Sequence, residues 1–357
     1  MSFPVSEEPA PRRRAFLATA AAAAALPVSA SLLGGTSVAA AADSSSDLPD
    51  YAPVPPAAHG PALNADGYFV GRIKRNLYWV TGSGYVAAFL TTRDGVVLFD
   101  APPGIGGNIQ RAVNEVAAAN GTSNKITHLV YSHFHADHIG ASALFGKDVT
   151  RIGHSETRTL LKRQADPTRP VPDVTFEDRY TLHVGGERVE LAYHGPSHTL
   201  DSIFIHLPHH DTLMLVDVVI PAWVPFAAMN VSEHIPGFLD AHAAALSYRF
   251  EHFIGGHIRL GARTDISLQQ QYLDDMTASA KHAIDTVDRT PFAQKYPDNG
   301  WAVTKTYFDA LVAATSAPVI RKYTGVLAGA DVYTDSNAFV LLESLRLESG
   351  YGSTTRP

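Results

Sequence analysis

Between residues 77 and 99 the apolar positions fall into three short β-prone runs, 77–81, 85–91 and 96–99, cut by Gly82-Ser83-Gly84 and by Arg93-Asp94-Gly95. Runs of this length bounded by turn residues predict three strands, the last two joined by a tight hairpin turn. The period then changes. Val113, Val116 and Ala117 recur at helical spacing within 110–119, with Asn120-Gly121 as the stop, and a buried-type strand is expected over 126–131. Beyond it, 149–153 reads as a strand, 156–164 as a helix and 166–172 as a proline-punctuated loop. Strands are expected at 180–184, 188–193, 202–207 and 213–217, the last closed by Asp217 after four apolar residues, and a helix at 239–248. In the final third, Leu268, Tyr272, Met276, Ala280 and Ile284 repeat every fourth residue, which predicts a long amphipathic helix with Thr264 as its N-cap. A second helix is expected over 303–314. The stretch 325–357 carries only a weak pattern and is expected to end frayed.

The first 42 residues follow a different logic. Arg12-Arg13-Arg14 precedes Phe16-Leu17 and an alanine-rich apolar run, and Ala40-Ala41-Ala42 offers a cleavage point before Asp43. This pattern resembles a twin-arginine export signal and predicts a periplasmic or secreted protein. Pro27, Ser29, Gly34 and Gly35 break the apolar run, so export is expected over a stable membrane anchor. Residues 43–67 read as a linker.

Charge and composition narrow the chemistry. The 357-residue chain carries a formal charge of −7, or about −8 once the three Arg and two Glu of residues 1–42 are set aside. No basic field exists to hold nucleic acid, and a small molecule is the expected partner. The chain has no cysteine, which excludes disulfides, thiolate metal sites and a Cys nucleophile. Any metal must be held by imidazoles and carboxylates.

Ser132-His133-Phe134-His135-Ala136-Asp137-His138 supplies them at a strand end. Two residues apart on an extended segment, His133 and His135 point the same way, and the turn after them lets Asp137 and His138 face a second point a few Å away. His198 in Gly195-Pro196-Ser197-His198-Thr199, Asp217 at its strand end and His257 after Gly255-Gly256 are later partners. Asp100, just after a strand, is either a partner that fixes an imidazole tautomer or a plain turn residue. His128, His154, His194, His206, His209 and His210 are expected to be structural or solvated, and Tyr131 and Tyr193 to pack. The apolar loop around Trp223 and Phe226 reads equally as a substrate wall or as packing against the next helix. Arg259 would contact a substrate carboxylate or form a surface ion pair.

Taken in order, these ligand-bearing regions make the sequence resemble the metallo-β-lactamase superfamily over about residues 68–260. The resemblance implies a four-layer αβ/βα sandwich of the α+β class, two mixed sheets face to face with helices outside and metals at the sheet edge. Residues 68–262 would form that catalytic domain and 263–357 a helical C-terminal extension. It further implies His133, His135 and His198 as ligands of a first metal and Asp137, His138 and His257 as ligands of a second, with Asp217 bridging both. Two zinc ions, with iron or manganese as alternatives, would share a hydroxide that attacks the substrate, and Asp137 would orient it and shuttle a proton.

Ser197 stands where the superfamily usually has Gly. Asp217 resembles the hydrolase branches, such as glyoxalase II and the lactonases, where zinc β-lactamases carry Cys or Ser. An exported hydrolase of an ester-like bond, a lactone or related small substrate, is therefore expected. A β-lactam or thioester hydrolase, a one-iron sulfur dioxygenase and a binding protein are the other readings. Trp223, Phe226 and Arg259 are the residues expected to meet substrate.

Overall fold

The computed structural model describes residues 49–82 and 84–352. Seven strands form the first sheet in chain order: β1 (Phe69–Lys74), β2 (Leu77–Gly82), β3 (Tyr85–Thr92), β4 (Gly95–Phe99), β5 (Ile126–Val130), β6 (Thr150–His154) and β7 (Val174–Phe176). The pairs from β1 to β4 are antiparallel and those from β4 to β7 parallel. The parallel crossovers carry helices α1 (Asn108–Asn120), α2 (Ala136–Ile139) and α3 (Ser155–Gln164). The second sheet holds β8 (Arg179–Val184), β9 (Glu187–Ala192), β10 (Phe204–Leu207), β11 (Thr212–Met214), β12 (His252–Ile254) and β13 (Leu260–Gly261). It is antiparallel except for the β11–β12 pair, whose connection contains α4 (Ala227–Val231) and α5 (Ile235–Ser247). Four helices follow: α6 (Arg263–Thr286), α7 (Thr290–Lys295), α8 (Gly300–Tyr323) and α9 (Ala330–Glu343).

Strand alternation explains the layers. Leu77, Trp79, Val86, Ala88, Leu90, Val97 and Phe99 point into a core shared with Ile205, Met214 and Ile254 of the second sheet. Their neighbours Tyr78, Val80, Ala87, Phe89, Val96 and Leu98 point the other way, onto Ile109, Val113 and Leu161 of α1 and α3. In the second sheet Phe204, Leu213 and Phe253 face outward onto α5, α6, α8 and α9. Three cores separate four layers, and strands buried on both faces read as continuous apolar runs. At about 25 cal/mol per Å² of apolar surface removed from water, these cores dominate the stability of the sandwich.

The helical region differs from its sequence pattern at three points. α6 starts one residue before the expected cap: Thr264 lies inside it, and the Asp265 carboxylate accepts the Ala262 N–H at 2.9 Å. α8 runs nine residues past 314 and continues through Pro318. A proline there removes the bond to the Ala314 carbonyl, and Ser279 Oγ of α6 donates instead to the Ala314 and Thr315 carbonyls, at 3.4 and 2.8 Å. α9 occupies the stretch expected to carry only a weak pattern. Its buried face mixes Thr334 and Asn337 with Ala338, Leu341 and Leu342, so the apolar period is faint although the face is fully covered.

The segment read as a linker is mostly exposed where it is described, but it is tied down at Ala57 and Ala58. Ala58 is buried, its carbonyl accepts Trp223 Nε1–H at 2.9 Å, and Ala57 O accepts Arg259 Nε–H. The signal-like residues 1–42 lie outside the described residues, as does Ser83 in the turn between β2 and β3. Among the described residues no helix is long and apolar enough to cross a membrane.

Candidate metal centre

At the end of β4, Asp100 adopts a left-handed conformation (φ 61°), and its Oδ1 accepts the Ser132 N–H at 2.8 Å. Ser132 Oγ lies 2.9 Å from His133 Nδ1, which leaves His133 Nε2 to face the cluster. Asp100 thereby anchors the turn that follows β5. His135 caps the short helix α2, which carries Asp137 in its first turn and the fully buried His138 behind it.

From the second sheet, Asp217 also sits at φ 61°, and its N–H donates to Gly255 O at 3.2 Å. Gly256 has φ 87°, and a Cβ there would stand 2.5 Å from Val216 Cγ1 and 3.1 Å from His138 Cε1. Only glycine lets the chain pass and deliver His257. His257 Nδ1 lies 3.2 Å from Gly84 O, turning Nε2 toward Asp217.

The seven predicted ligands come together in two groups sharing one carboxylate: His133, His135, His198 and Asp217, and Asp137, His138, Asp217 and His257. Within each group the ligand atoms lie within 4.8 Å of one another. His138, His198 and His133 bring Nε2 to 3.0, 3.3 and 3.5 Å of Asp217 Oδ2, and His257 Nε2 is 2.9 Å from Oδ1. Yet His133 Nε2, His138 Nε2 and Asp217 Oδ1 have no hydrogen-bond partner despite burial. Lone pairs converging without aligned protons are costly in a dry site unless a cation satisfies them. The donor set of imidazoles and carboxylates suits zinc and other borderline divalent ions.

Electrostatics reinforce this. Burial, with His198 beside it, pushes His133 well below the ordinary imidazole range, and the same causes bring His135 down to about 4. Burial opposes charge at His138 too, but Asp217 outweighs it and holds that imidazole up at about 9. Asp217, buried as it is, is kept ionised well below the usual carboxylate range by His138 and His198. Burial raises Asp100 to about 6. His133 and His135 are thereby neutral and Asp217 ionised, as metal ligands must be, whereas His138 keeps its proton beside Asp217 until a cation displaces it.

Over the cluster opens a cavity of about 370 Å³. Asp137, His198 and His257 are at its base, Tyr85 stands at one side, and Ile220, Phe226 and Val231 form an apolar wall with Asn230. Among the described residues no Lys or Arg lines it. Of the residues expected to meet substrate, Phe226 does line the cavity, half exposed. Trp223 instead lines a separate cavity of about 280 Å³ and ties down Ala58. Arg259 is committed to Asp265 at 2.8 Å and to the Ala57 and Leu260 carbonyls, so its charge is already matched. Tyr85 and Asn230 had no sequence signal beyond strand propensity and loop polarity.

The remaining histidines are structural in their contacts. His154 Nε2 meets Glu177 O and its ring stacks on Tyr193 at 4.0 Å, His194 meets Tyr248 OH, His206 meets Glu190, and His210 meets Asn76. Tyr131 OH donates to Pro170 O and Tyr193 OH to Leu200 O.

Residues 80–222 match the family profile described as the metallo-beta-lactamase superfamily. Both sheets, their helical covers and the ligand set agree with that match. Residues 80–222 thus place this part of the chain in the metallo-beta-lactamase superfamily. A solved metallo-beta-lactamase from Pontibacter korlensis superposes with a TM-score of 0.50 at 19% identity, covering 58% of this chain and 99% of its own. Among curated relatives, the 2,4-dinitroanisole O-demethylase subunit alpha of Nocardioides sp. is 29% identical over 26% of this chain and 28% of its own length. The type 2 metallo-beta-lactamase of Elizabethkingia meningoseptica is 26% identical over 41% and 59%. The chain thus spans less than two thirds of the length of either relative. The His/Asp cluster could hold divalent metal ions, and α6 to α9 lie beyond the matched residues.

Proposed function

We propose that this chain is an exported hydrolase with two metal ions, zinc in the first instance, that cleaves an ester-like bond in an uncharged apolar molecule such as a lactone. The observation that carries the reading is a seven-residue His/Asp cluster sharing Asp217, beneath a cavity walled by Ile220, Phe226 and Val231 with no Lys or Arg among its described lining residues. A substrate bearing a carboxylate, as β-lactams do, would find no Lys or Arg among the described lining residues to pair with. The relative named for 2,4-dinitroanisole is named for an uncharged aromatic ether, which fits the same kind of pocket.

When bound, divalent ions supply Lewis acidity and lower the pKa of water toward neutrality. His133, His135 and His198 would hold one ion, Asp137, His138 and His257 the other, and Asp217 both. Asp137, half exposed at the cavity base and 3.6 Å from His138 Nε2, is placed to take a proton from the attacking water and return it to the departing alkoxide. Ester and water become acid and alcohol, with no covalent intermediate on the chain. The apolar wall binds the acyl or aryl portion and thins the water around the reacting carbonyl.

Purified metal-loaded protein should hydrolyse an uncharged lactone at least about tenfold better in kcat/KM than the same lactone carrying a carboxylate, as expected from an unpaired charge in such a pocket. Thioester, β-lactam, phosphodiester and aryl methyl ether complete the panel. Turnover of no carbonyl substrate, or one iron per chain with oxygen uptake, would overturn the reading. Export rests on Arg13-Arg14 and the alanine-rich run after them. N-terminal sequencing of the secreted protein should begin near Asp43, and retention inside the cell would contradict it.

A further inference from the structure

The wall residue Val231 and its predecessors Ala228, Met229 and Asn230 all have positive φ, between 52° and 61°. Four consecutive non-glycine residues thus form a left-handed turn, a conformation that L side chains disfavour and that single residues visit only when surroundings enforce it. The enforcement comes from α9. Asn337 Oδ1 accepts the Met229 N–H at 2.7 Å, its Nδ2–H donates to Pro225 O at 2.8 Å, and Ser336 Oγ accepts the Ala228 N–H at 2.9 Å. Asn337 is fully buried, so both sides of its amide are spent on this turn.

The turn in turn reaches the cluster. Asn230 Oδ1 accepts the Phe226 N–H at 2.6 Å, and Asn230 Nδ2–H donates to the backbone carbonyl of Asp217 at 2.7 Å. Asp217 also has positive φ, and it is the one ligand common to both groups. Held otherwise, its carboxylate would swing with its peptide. We infer that Asn337 is a positioning residue for the metal centre: through the left-handed turn 228–231 it sets Asn230 beneath Asp217 and fixes the shared carboxylate. The inference rests on the reading of the cluster as a metal site. It gives the C-terminal region, outside the family match, a role in the chemistry.

The test is Co²⁺ titration into the full-length, metal-stripped chain, followed by its visible absorption, with Tm recorded for every variant. Asn337→Ala and Asn230→Ala should each weaken Co²⁺ binding about tenfold, the usual scale for lost support of a ligand, and alter the cobalt spectrum alike. The double variant should be little worse than either single one, because both act along one path. Tyr323→Phe removes a bond to Asp275 elsewhere in the same helical region and should lower Tm without touching the spectrum. Wild-type affinity and spectrum in Asn337→Ala, with Tm lowered as in Tyr323→Phe, would overturn the inference alone. If Asn337→Ala does not fold, Ser336→Ala decides: weakened Co²⁺ binding that Ser336→Thr restores supports the inference, and unchanged binding refutes it. A wild-type chain that binds no Co²⁺ would sink the metal reading and this inference with it.

Discussion

Residues 132–138 carry four of the seven ligands on one short turn, and what orients them lies nearby in the first sheet: Asp100 on the Ser132 N–H, and Ser132 on His133 Nδ1. Asp217 stands alone at its strand end. Its neighbour Val218 gives its carbonyl to Gln269 of α6, 51 residues on, and its own carbonyl goes to Asn230, whose turn is pinned by Asn337, 108 residues past Met229. Contiguous ligands can be positioned by one strand end and one turn. A solitary shared ligand needs support from several layers, and the helices of the last third supply it.

That contrast can be broken most sharply at Asp217. Asp217→Ala removes the only ligand both groups use, so metal occupancy and activity should fall together, activity by roughly 10³-fold, the scale of several kcal/mol of lost metal-assisted stabilisation. His133→Ala should empty one group and spare part of the other. Equal metal content in Asp217→Ala and wild type would show that the carboxylate is not shared.

Asp201 offers the opposite kind of buried carboxylate. It accepts hydroxyl bonds from Thr157 and Thr199 at 2.7 Å, and burial raises it from 3.8 to about 6. Its folded state therefore favours the proton, so stability from this group is full below pH 4 and is lost as pH rises through about 6. Asp201→Asn should flatten that slope in urea unfolding, gaining at most about 3 kcal/mol at pH 7 and nothing at pH 4. A pH slope unchanged from wild type would mean that hydroxyls alone keep Asp201 ionised at no cost. Asp217 differs because imidazoles surround it, which holds it charged for a cation.

The smallest effect is expected at the wall. Phe226→Ala should raise KM about tenfold for an apolar lactone with kcat nearly held, the outcome expected of a cavity-wall ring that holds substrate without touching the reacting atoms. A fall in kcat alone would place Phe226 in turn packing, through its contact with the Tyr333 ring at 4.8 Å, and not in substrate binding.

How much of this was legible follows from the range of the interactions. Strands such as β2 to β4 announce themselves because both faces are buried, and the ligand turn because its residues are contiguous. Asp217 was conspicuous as a carboxylate closing an apolar run. Nothing local marks Asn230, Asn337 or the left-handed turn, since an asparagine pinning a backbone 108 residues away looks like any helix-face polar residue. α9 was missed for the same reason: the polar side chains that do its structural work erase its apolar period. Trp223 and Arg259 looked available for substrate, and only tertiary contacts show that Ala58 and Asp265 already occupy them.

The central claim is that these seven side chains hold two metal ions that make the chain a hydrolase. It is tested most directly by elemental analysis of the purified chain, joined to lactone turnover as metal is stripped and returned. Two divalent ions per chain, with activity lost on stripping and recovered on adding back the second equivalent, is the predicted result. One ion per chain, or hydrolysis that survives complete metal removal, would contradict it.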